Sequence, residues 1–179
     1  MMKATGIVRR IDDLGRIVIP KEIRRTLHIR ESDPLEIFTD REGQVILKKY
    51  SPIGEMTTFA KQYAESLAQV SGHATLIADR DQFIAVCKQL LNKSVSRQLE
   101  EKVNNRETVI AAKGDRNYVN IAEDIAVDYA WQLITPIICE GDIIGSVILL
   151  ENDGKSKMGE VEQKLALSAA GFLGRQMEQ

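Results

Sequence analysis

The sequence is poor in cysteine and histidine, the residues that most often build disulfides, metal sites and nucleophilic sites. Its 179 residues include two cysteines, Cys87 and Cys139, and two histidines, His28 and His73. The cysteines form no disulfide framework and no metal-ligand spacing, and neither histidine has a carboxylate or cysteine beside it. We therefore predict no catalytic residue, no metal site and no cofactor, and we expect both histidines on the surface or in loops.

Long apolar segments are also absent. The longest runs, such as residues 143–150, are interrupted, here by Gly145 and Ser146, and fall far short of the roughly 20 residues that span a bilayer. No apolar stretch precedes Arg9 and Arg10, as a secretory signal peptide would require. We therefore expect a cytoplasmic protein that contacts no membrane and whose cysteines remain thiols.

An overall surplus of positive charge, which is typical of polyanion-binding proteins, is missing, because 24 basic residues face 26 acidic ones. The charges are unevenly distributed, however. Residues 1–30 contain eight basic and three acidic residues, a local charge of +5, whereas the remaining residues carry a charge of −7. A basic N-terminal block on an acidic body is typical of a small nucleic-acid-binding module joined to a second domain.

Proline is scarce outside the first 52 residues, which hold three of the four prolines in the chain. The N-terminal region is therefore divided into short elements, while the remainder has longer ones. We place the boundary near Ser51 and Pro52, where a helix can begin with serine as its N-cap and proline in its first turn. This gives an N-terminal domain of residues 1–52 and a C-terminal domain of residues 53–179, whose leading helix covers residues 53–71.

The N-terminal domain has the pattern of two strands, a short helix and two further strands. The predicted elements are strands at residues 5–11 and 17–19, a helix that begins at Pro20, and strands at residues 35–39 and 45–49. About 50 residues is near the lower limit at which one chain buries enough apolar surface to be stable. Because no disulfide or metal stabilises it, we expect this domain to form a homodimer.

The C-terminal domain has the periodicity of a folded domain, so the whole chain belongs to the α+β class. The predicted elements are helices at residues 56–70, 95–103 and 159–177, and strands at residues 74–78, 83–87, 108–112, 132–139 and 142–150. The last helix is apolar or small on two sides, one including Leu165 and Phe172 and the other including Leu173 and Met177. We expect such a helix to pack both on its own sheet and on another helix, from a second subunit.

Four arginines of the basic block are candidates for contacting a nucleic acid: Arg9, Arg16, Arg24 and Arg25. On the predicted helix, Arg24 and Arg25 point away from the side that Ile23 and Leu27 bury. Arginine suits phosphate because its planar guanidinium donates two hydrogen bonds at once and never loses its charge. The spacing leaves an alternative open, in which these arginines are solvated and paired with Asp12, Asp13 and Glu22.

The residues themselves carry a more specific resemblance. Residues 5–20 read TGIVRRIDDLGRIVIP and residues 22–27 read EIRRTL, followed by LEIF at 35–38 and ILKKY at 46–50. This region closely resembles the AbrB family of swapped-hairpin transcription factors over residues 3–50. The resemblance implies a β-barrel dimer of interleaved hairpins, which contacts double-stranded DNA through arginines at the positions of Arg9, Arg16, Arg24 and Arg25.

The C-terminal domain resembles a GAF sensory domain. The resemblance is carried by WQLITPII at residues 131–138 and DIIGSVILL at residues 142–150, between the leading helix and the final helix. It implies an α/β sandwich that senses a small-molecule effector. The final helix, apolar on two sides, and the amphipathic helix at residues 56–70 favour contacts between two such domains, which would join N-terminal dimers into a homotetramer. A cyclic nucleotide is disfavoured as the effector, because Asn92 and Lys93 are not followed by the Phe-x-x-x-Asp-Glu motif of that type.

Together the two modules resemble transcription regulators of spore-forming bacteria. The combination implies a sequence-selective DNA-binding regulator of sporulation genes that is not an enzyme. Two other classes stay open. An antitoxin-type DNA-binding autoregulator shares the swapped-hairpin module but usually ends in a flexible tail, and a GAF-type thiol reductase would use Cys87 and Cys139. Both cysteines continue apolar runs, where cysteine behaves as a small core residue, so the reductase is disfavoured.

Overall fold

The structure is a computed structural model of the chain, and it describes residues 5–85, 90–123, 125, 128–154 and 157–178. The chain consists of two compact units, Met1–Tyr50 and Ser51–Gln179. Among the described residues, no helix has both the length and the apolar character needed to cross a bilayer.

The N-terminal unit contains one short helix and one hairpin. Its elements are helix α1 (Lys21–Thr26) and strands β1 (Leu35–Thr39) and β2 (Val45–Lys49). Helix α1 follows Pro20, whose fixed φ suits the start of a helix. The two strands pair antiparallel with Ile37 opposite Leu47. In the turn between them, the Asp40 carboxylate accepts hydrogen bonds from the N–H groups of residues 42 and 44, which stabilises the hairpin.

The two strands predicted at residues 5–11 and 17–19 are not formed within the single chain. Between them lies a turn over residues 12–16, in which the Asp12 N–H donates to the Arg16 carbonyl at 3.0 Å. The flanking segments belong to no strand, and Val8 is exposed. A strand is stable only beside another strand, so the strand pattern of these segments needs a partner that one described chain does not supply.

The C-terminal unit is a five-stranded antiparallel sheet with helices on both faces. Its strands are β3 (Ala74–Asp79), β4 (Phe83–Ala85), β5 (Val109–Ala112), β6 (Trp131–Cys139) and β7 (Asp142–Glu151). They lie in the order β4-β3-β7-β6-β5, and neighbouring strands are antiparallel. The helices are α2 (Pro52–Glu55), α3 (Thr57–Ser71), α4 (Arg97–Asn104) and α5 (Glu160–Gln176).

Helices α3 and α5 cover one face of this sheet and α4 covers the other. Alternate residues of the central strands supply the two cores. Leu133 and Leu149 pack with α3 and α5, while Ile134 and Ile148 pack with α4. The sheet is thus buried on both sides, which explains the nearly continuous apolar runs of β6 and β7.

The predicted elements of this unit are present, with bounds that differ by one or two residues over the described positions. The leading helical segment is divided into α2 and α3. The Ser51 hydroxyl caps α2 by accepting from the Gly54 N–H at 3.0 Å. Helix α4 begins later than predicted, because the Ser96 hydroxyl caps it by accepting from the Leu99 N–H at 3.0 Å.

Helix α5 buries one side in the single chain rather than two. Leu173 and Gly174 are buried, and a Cβ atom at Gly174 would clash with the Ile138 carbonyl oxygen of β6. Val161 and Phe172, on the other side, remain exposed. The second apolar side is therefore uncovered in one chain, and its burial against a second subunit stays a prediction.

Candidate nucleic-acid interface

The turn between the two extended N-terminal segments is built around the carboxylate of Asp12. Its Oδ1 accepts hydrogen bonds from the Leu14 N–H at 3.0 Å and the Arg16 N–H at 2.8 Å. Its Oδ2 accepts a third from the Arg16 Nε–H at 2.8 Å. Gly15 completes the turn with a φ of 76°, which residues with side chains rarely adopt. One carboxylate therefore fixes both the turn and the guanidinium of Arg16.

These donors hold the pKa of the Asp12 carboxyl below its ordinary value. The hydrogen bond from the Arg16 N–H makes the largest contribution, followed by the bond from the Arg16 side chain. Asp12 is therefore ionised at neutral pH, and Arg16 carries a counter-ion within its own turn.

Helix α1 presents two consecutive arginines in different surroundings. Arg25 is exposed, whereas Arg24 is partly buried, and its Nε atom is enclosed without a hydrogen-bond partner in the described part of the chain. The helix ends where His28 adopts a left-handed φ of 51° and the Ile29 N–H donates to the Arg24 carbonyl at 2.8 Å. Packing thus restrains Arg24, while Arg25 projects into solvent.

Arg9 is exposed in the segment before the turn, and its Nη1 makes a long hydrogen bond of 3.4 Å to the Val8 carbonyl. Among the described residues, no hydrogen bond joins Arg9, the turn of Arg16 and the arginine pair of α1 to one another. Within the same residues, Arg16 is the one member of the set with an acidic partner. The alternative in which acidic neighbours neutralise the whole set therefore applies to Arg16 alone.

The N-terminal unit exposes most of its large apolar side chains. Val8 and Val18 are 85% and 71% exposed, and Ile37 and Val45 on the hairpin are also exposed. Helix α1 has no buried residue. Exposed apolar surface on this scale in so small a unit marks an interaction surface.

In the C-terminal unit, a small open cleft lies between α4 and the adjacent ends of β3 and β7; it is called the pocket below. Val103 and Ile143 line it with apolar atoms, and Arg80 and Glu100 add charged groups. Asp79 also lines the pocket and is buried. This mixture of apolar wall and polar groups is typical of a small-molecule site.

Asp79 also fixes the first residue of the C-terminal unit. Its Oδ2 accepts a hydrogen bond from the Ser51 hydroxyl at 2.9 Å. Its Oδ1 accepts from the N–H groups of Asp81 and Gln82 at 2.8 Å and 2.7 Å. A single carboxylate therefore joins the cap of α2, the β3–β4 turn and the wall of the pocket.

Helices α3 and α5 share a partly exposed aromatic cluster of Phe59, Tyr63 and Phe172. The ring centroids of Tyr63 and Phe172 are 5.3 Å apart, and those of Phe59 and Phe172 are 5.9 Å apart. Leu167 on α5 and Val70 on α3 are exposed as well. Aromatic side chains left partly exposed on two neighbouring helices are typical of an interface core.

Cys139, one of the two cysteines that a thiol reductase would use, ends β6 in a partly buried position. Burial raises the pKa of its thiol, and the carboxylates of Glu140, Glu178 and Asp142 raise it further. A raised pKa disfavours the thiolate, which is the reactive form. Cys87, the other cysteine of that alternative, lies outside the described residues.

A family model described as stage V sporulation protein T C-terminal, transcription factor, matches residues 55–178. The chain is also 56% identical to stage V sporulation protein T of Bacillus subtilis strain 168, over 99% of this chain and 100% of that protein. The chain belongs to the stage V sporulation protein T family. Membership of this family confirms the prediction of a sporulation transcription regulator.

The N-terminal unit of this family member has further relatives. A model described as antidote-toxin recognition MazE, bacterial antitoxin, matches residues 8–55. The chain is 43% identical over 105 residues to transition state regulatory protein AbrB of Bacillus subtilis strain 168, which covers 59% of this chain and 93% of that protein. The predicted membership of the AbrB family is therefore confirmed, while the swapped-hairpin barrel stays a prediction.

The C-terminal unit has the fold of a GAF domain. The crystal structure of the GAF domain from Acinetobacter phosphoenolpyruvate-protein phosphotransferase is similar, with a TM-score of 0.56 and 13% identity over 73% of this chain and 84% of that one. At this identity the similarity concerns the fold alone. The predicted GAF-like α/β architecture is confirmed.

Sequence reasoning missed His73 and undervalued Asp12. His73 lies in the loop between α3 and β3, which agrees with the prediction, but its side chain is buried and its Nδ1 is 2.6 Å from the Glu151 Oε2. Glu151 is 78 residues away in sequence, so no local pattern indicates the pair. For Asp12 a local signal exists. The Asp12 side chain accepts hydrogen bonds from the N–H groups two and four residues later, which forms an aspartate-capped turn. The Asp-x-x-Gly-Arg spacing favours such a turn.

Proposed function

We propose that the protein is a sequence-selective DNA-binding regulator of sporulation genes, that it acts as a homodimer through its N-terminal domain, and that it is not an enzyme. The proposed domains are residues 1–52 and residues 53–179. The observation that carries the proposal is an N-terminal unit that exposes its apolar side chains together with a set of arginines. Membership of a transcription-factor family and the similarity to AbrB support the same function.

A swapped-hairpin β-barrel dimer accounts for the exposed apolar side chains. In one chain, residues 5–11 and 17–19 are extended without a neighbouring strand. Pairing with a second chain would satisfy their backbone N–H and C=O groups and bury Val8 and Val18. Burial contributes about 25 cal/mol per Å² of apolar surface, so the dimer gains stability that a unit of this size lacks alone.

Arg9, Arg16, Arg24 and Arg25 contact the DNA in this proposal. Two chains together offer up to about eight arginine contacts, to phosphates or to base edges. A protein that makes about 6–10 phosphate contacts loses on the order of 10³ to 10⁵ in affinity when the salt concentration rises from about 50 to 200 mM. Helix α1 has six residues, so it offers no long recognition helix for the major groove. Selectivity therefore comes from base-edge contacts by a few arginines and from the sequence-dependent deformability of the duplex.

Replacing Arg9 or Arg24 by alanine is expected to abolish specific binding while leaving the fold intact. Each change removes one contact per chain, and a base contact is worth about 1–3 kcal/mol, so operator affinity should fall about 100-fold or more. Fluorescence anisotropy of the full chain on an operator selected from random duplexes measures this, and circular dichroism checks the fold.

The matched control for these variants is Arg41→Ala, because Arg41 is an exposed arginine in the turn between β1 and β2 of the same unit. It removes the same charge from outside the proposed contact set, so operator affinity should fall by a few-fold at most. Wild-type operator affinity in Arg9→Ala or Arg24→Ala would contradict the assignment of these arginines.

In this proposal the GAF-like domain has two roles, effector sensing and assembly of N-terminal dimers into a homotetramer. The pocket between α4 and the strands β3 and β7 supports the first role, because it combines apolar walls with polar groups. The aromatic cluster and the uncovered apolar side of α5 support the second.

The two alternative functions are less well supported. A MazE antitoxin model matches residues 8–55, but an antitoxin usually ends in a flexible tail, whereas Ser51–Gln179 is a compact unit around a five-stranded sheet. Protease-sensitive release of a disordered C-terminal tail would revive that alternative. The thiol reductase is disfavoured by the raised pKa of Cys139, and methionine sulfoxide reduction that is lost in Cys139→Ser would revive it.

A further inference from the structure

The carboxylate of Asp12 occupies one edge of a guanidinium that we assign to DNA contact. Arginine has five N–H donors in one plane. In Arg16 the Nε–H donates to the Asp12 Oδ2 at 2.8 Å, whereas its Nη1 and Nη2 make no hydrogen bond within the described part of the chain. The N–H groups of the two Nη atoms therefore remain available to a ligand, and the bond to Asp12 fixes the orientation of the guanidinium plane.

The same carboxylate also holds the backbone of Arg16. The Asp12 Oδ1 accepts the Arg16 N–H at 2.8 Å, so both the main chain and the side chain of Arg16 are bound to one group. A free arginine side chain loses about 2 kcal/mol of rotamer entropy when it is fixed. Because Asp12 already restrains the side chain in the unbound protein, Arg16 loses less conformational entropy when it contacts DNA in this orientation.

A phosphate and a base edge respond differently to a carboxylate beside the arginine. Phosphate is an anion, so Asp12 repels it and offsets the attraction of Arg16. The major-groove edge of guanine is uncharged and offers two acceptors, O6 and N7, which match two parallel N–H donors. Asp12 thus leaves the Nη N–H groups of Arg16 available to a guanine edge, while its negative charge weakens the attraction of Arg16 for phosphate.

We propose that Asp12 is a positioning residue that makes Arg16 a reader of a guanine edge rather than a phosphate contact, and that it thereby sets the ratio of operator to non-operator affinity. The inference rests on the proposed function, because it requires that the N-terminal dimer binds DNA. Arg9, Arg24 and Arg25 lack an acidic partner among the described residues, so the same argument does not apply to them.

Asp12→Asn separates the two tasks of the carboxylate. The asparagine oxygen can still accept the two backbone N–H bonds that close the turn, whereas its NH₂ group cannot accept from the Arg16 Nε–H. Asp13→Asn is the matched control, because it removes the same charge from the next residue, which is described, exposed and not hydrogen-bonded to Arg16. The full chain is titrated with a selected operator and a scrambled duplex at several salt concentrations.

For Asp12→Asn we expect the ratio of operator to scrambled affinity to fall about tenfold, mainly because the scrambled duplex binds more tightly. The salt dependence on scrambled DNA should steepen by about 0.9 in log–log slope for each freed arginine, since each new phosphate contact releases counter-ions. Asp13→Asn should change both affinities alike. Operator guanines are also replaced one at a time by 7-deazaguanine, which lacks N7. At one or more positions this replacement should lower the operator affinity of the wild type but not that of Arg16→Ala.

An unchanged ratio in Asp12→Asn, including uniform weakening on both duplexes, would overturn the inference, and so would an equal fall in Asp13→Asn. The double variant Asp12→Asn/Arg16→Ala guards against an indirect effect on the turn. If Asp12 acts through Arg16, the ratio in the double variant equals that in Arg16→Ala, and a further fall contradicts the inference. A wild-type chain that binds no selected duplex would instead contradict the proposed function.

Discussion

The side chain of His73 connects three elements of the C-terminal unit. It precedes β3, its Nδ1 is 2.6 Å from the Glu151 Oε2 at the end of β7, and its Nε2 is 3.8 Å from the Glu162 Oε1 in the first turn of α5. Glu162 also accepts from the Gly159 N–H at 2.7 Å, which caps α5.

The carboxyl groups of Glu151 and Glu162 both have a pKa below the ordinary value. For Glu151 the Asp153 N–H is the largest cause, and for Glu162 it is the Gly159 N–H, while His73 contributes to both. A carboxyl whose pKa is lowered by folding stabilises the folded state above its unfolded pKa, near 4.5 here. That stabilisation is lost as the pH falls through the lowered, folded-state pKa.

Glu162→Gln is therefore expected to lower the free energy of unfolding by about 1 kcal/mol at neutral pH, since glutamine keeps an acceptor for the cap but loses the charge. The difference from the wild type should be constant near pH 7 and should disappear in acid, below the lowered pKa. Urea unfolding followed by circular dichroism between about pH 3 and pH 7 measures it.

Glu160→Gln is the control for this variant. Glu160 also lies in the first turn of α5, but it is exposed and pairs with Lys164 at 2.6 Å. Exposed pairs of this kind contribute less than about 1 kcal/mol, and we expect little change in stability. If the free energy of unfolding falls equally in the two variants at every pH, the negative charge at the helix terminus, rather than the cluster around His73, causes the stabilisation.

At the scale of secondary-structure elements, the pocket is formed where α4 crosses the sheet beside β3 and β7. The Ser96 hydroxyl fixes the start of α4 by accepting from the Leu99 N–H, and Leu99 is buried between the helix and the sheet. Asn104, the last residue of α4, lines the pocket from its exposed end. An occupant would therefore bind elements that are already ordered, which keeps the entropic cost of binding low.

An effector that binds this pocket should raise the melting temperature of the full chain in a thermal-shift screen of metabolites. A ligand at 100 times its Kd stabilises the folded state by about 2.7 kcal/mol. Asn104→Trp should block the pocket and remove the shift, whereas Asn105→Trp, which lies beside it outside the lining, should retain it. A shift that persists in Asn104→Trp would assign the ligand to another site, and a screen without any shift would contradict effector sensing.

Elements with a local cause were predictable from the sequence. The hairpin of β6 and β7 follows from two apolar runs around Glu140 and Gly141, which both take the positive φ that a two-residue turn needs, 48° and 87°. Helix α4 begins two residues after the predicted start at residue 95, because the sequence offers two serines as N-caps, Ser94 and Ser96. A distant contact favours Ser96, whose hydroxyl also donates to the Asn120 carbonyl.

The strand pattern of the N-terminal segments could be predicted, but not their unpaired state in one chain. Residues 5–11 and 17–19 have the composition of strands, and strand pairing depends on what lies beside them. The arginines of the candidate site were likewise visible from the sequence. What the sequence did not show is that Asp12 binds one of them, because the orientation of Arg16 depends on the conformation of the turn.

At the scale of the whole molecule, the proposed tetramer depends on the outer surface of α3 and α5. Phe172→Ser should convert the tetramer to a dimer, because it removes the shared member of the aromatic cluster and leaves the N-terminal unit unchanged. Analytical ultracentrifugation of the full chain measures the outcome. Leu91→Ser is the control, since Leu91 is an exposed apolar residue of the same unit outside both helices. A wild-type dimer would contradict the tetramer, and a tetrameric Phe172→Ser would exclude this surface as its interface.

The uncovered apolar side chains of the N-terminal unit bear on how much regulator a cell must make. A unit that is stable only when paired folds in a second-order reaction, so at low copy number the DNA-binding form increases with the square of the concentration. Unpaired chains leave the segment around Val8 open to proteases, which degrade the unfolded form first. Chains made in a brief or weak burst of synthesis would then be degraded before they pair, and only sustained synthesis would supply enough dimer to occupy the operators.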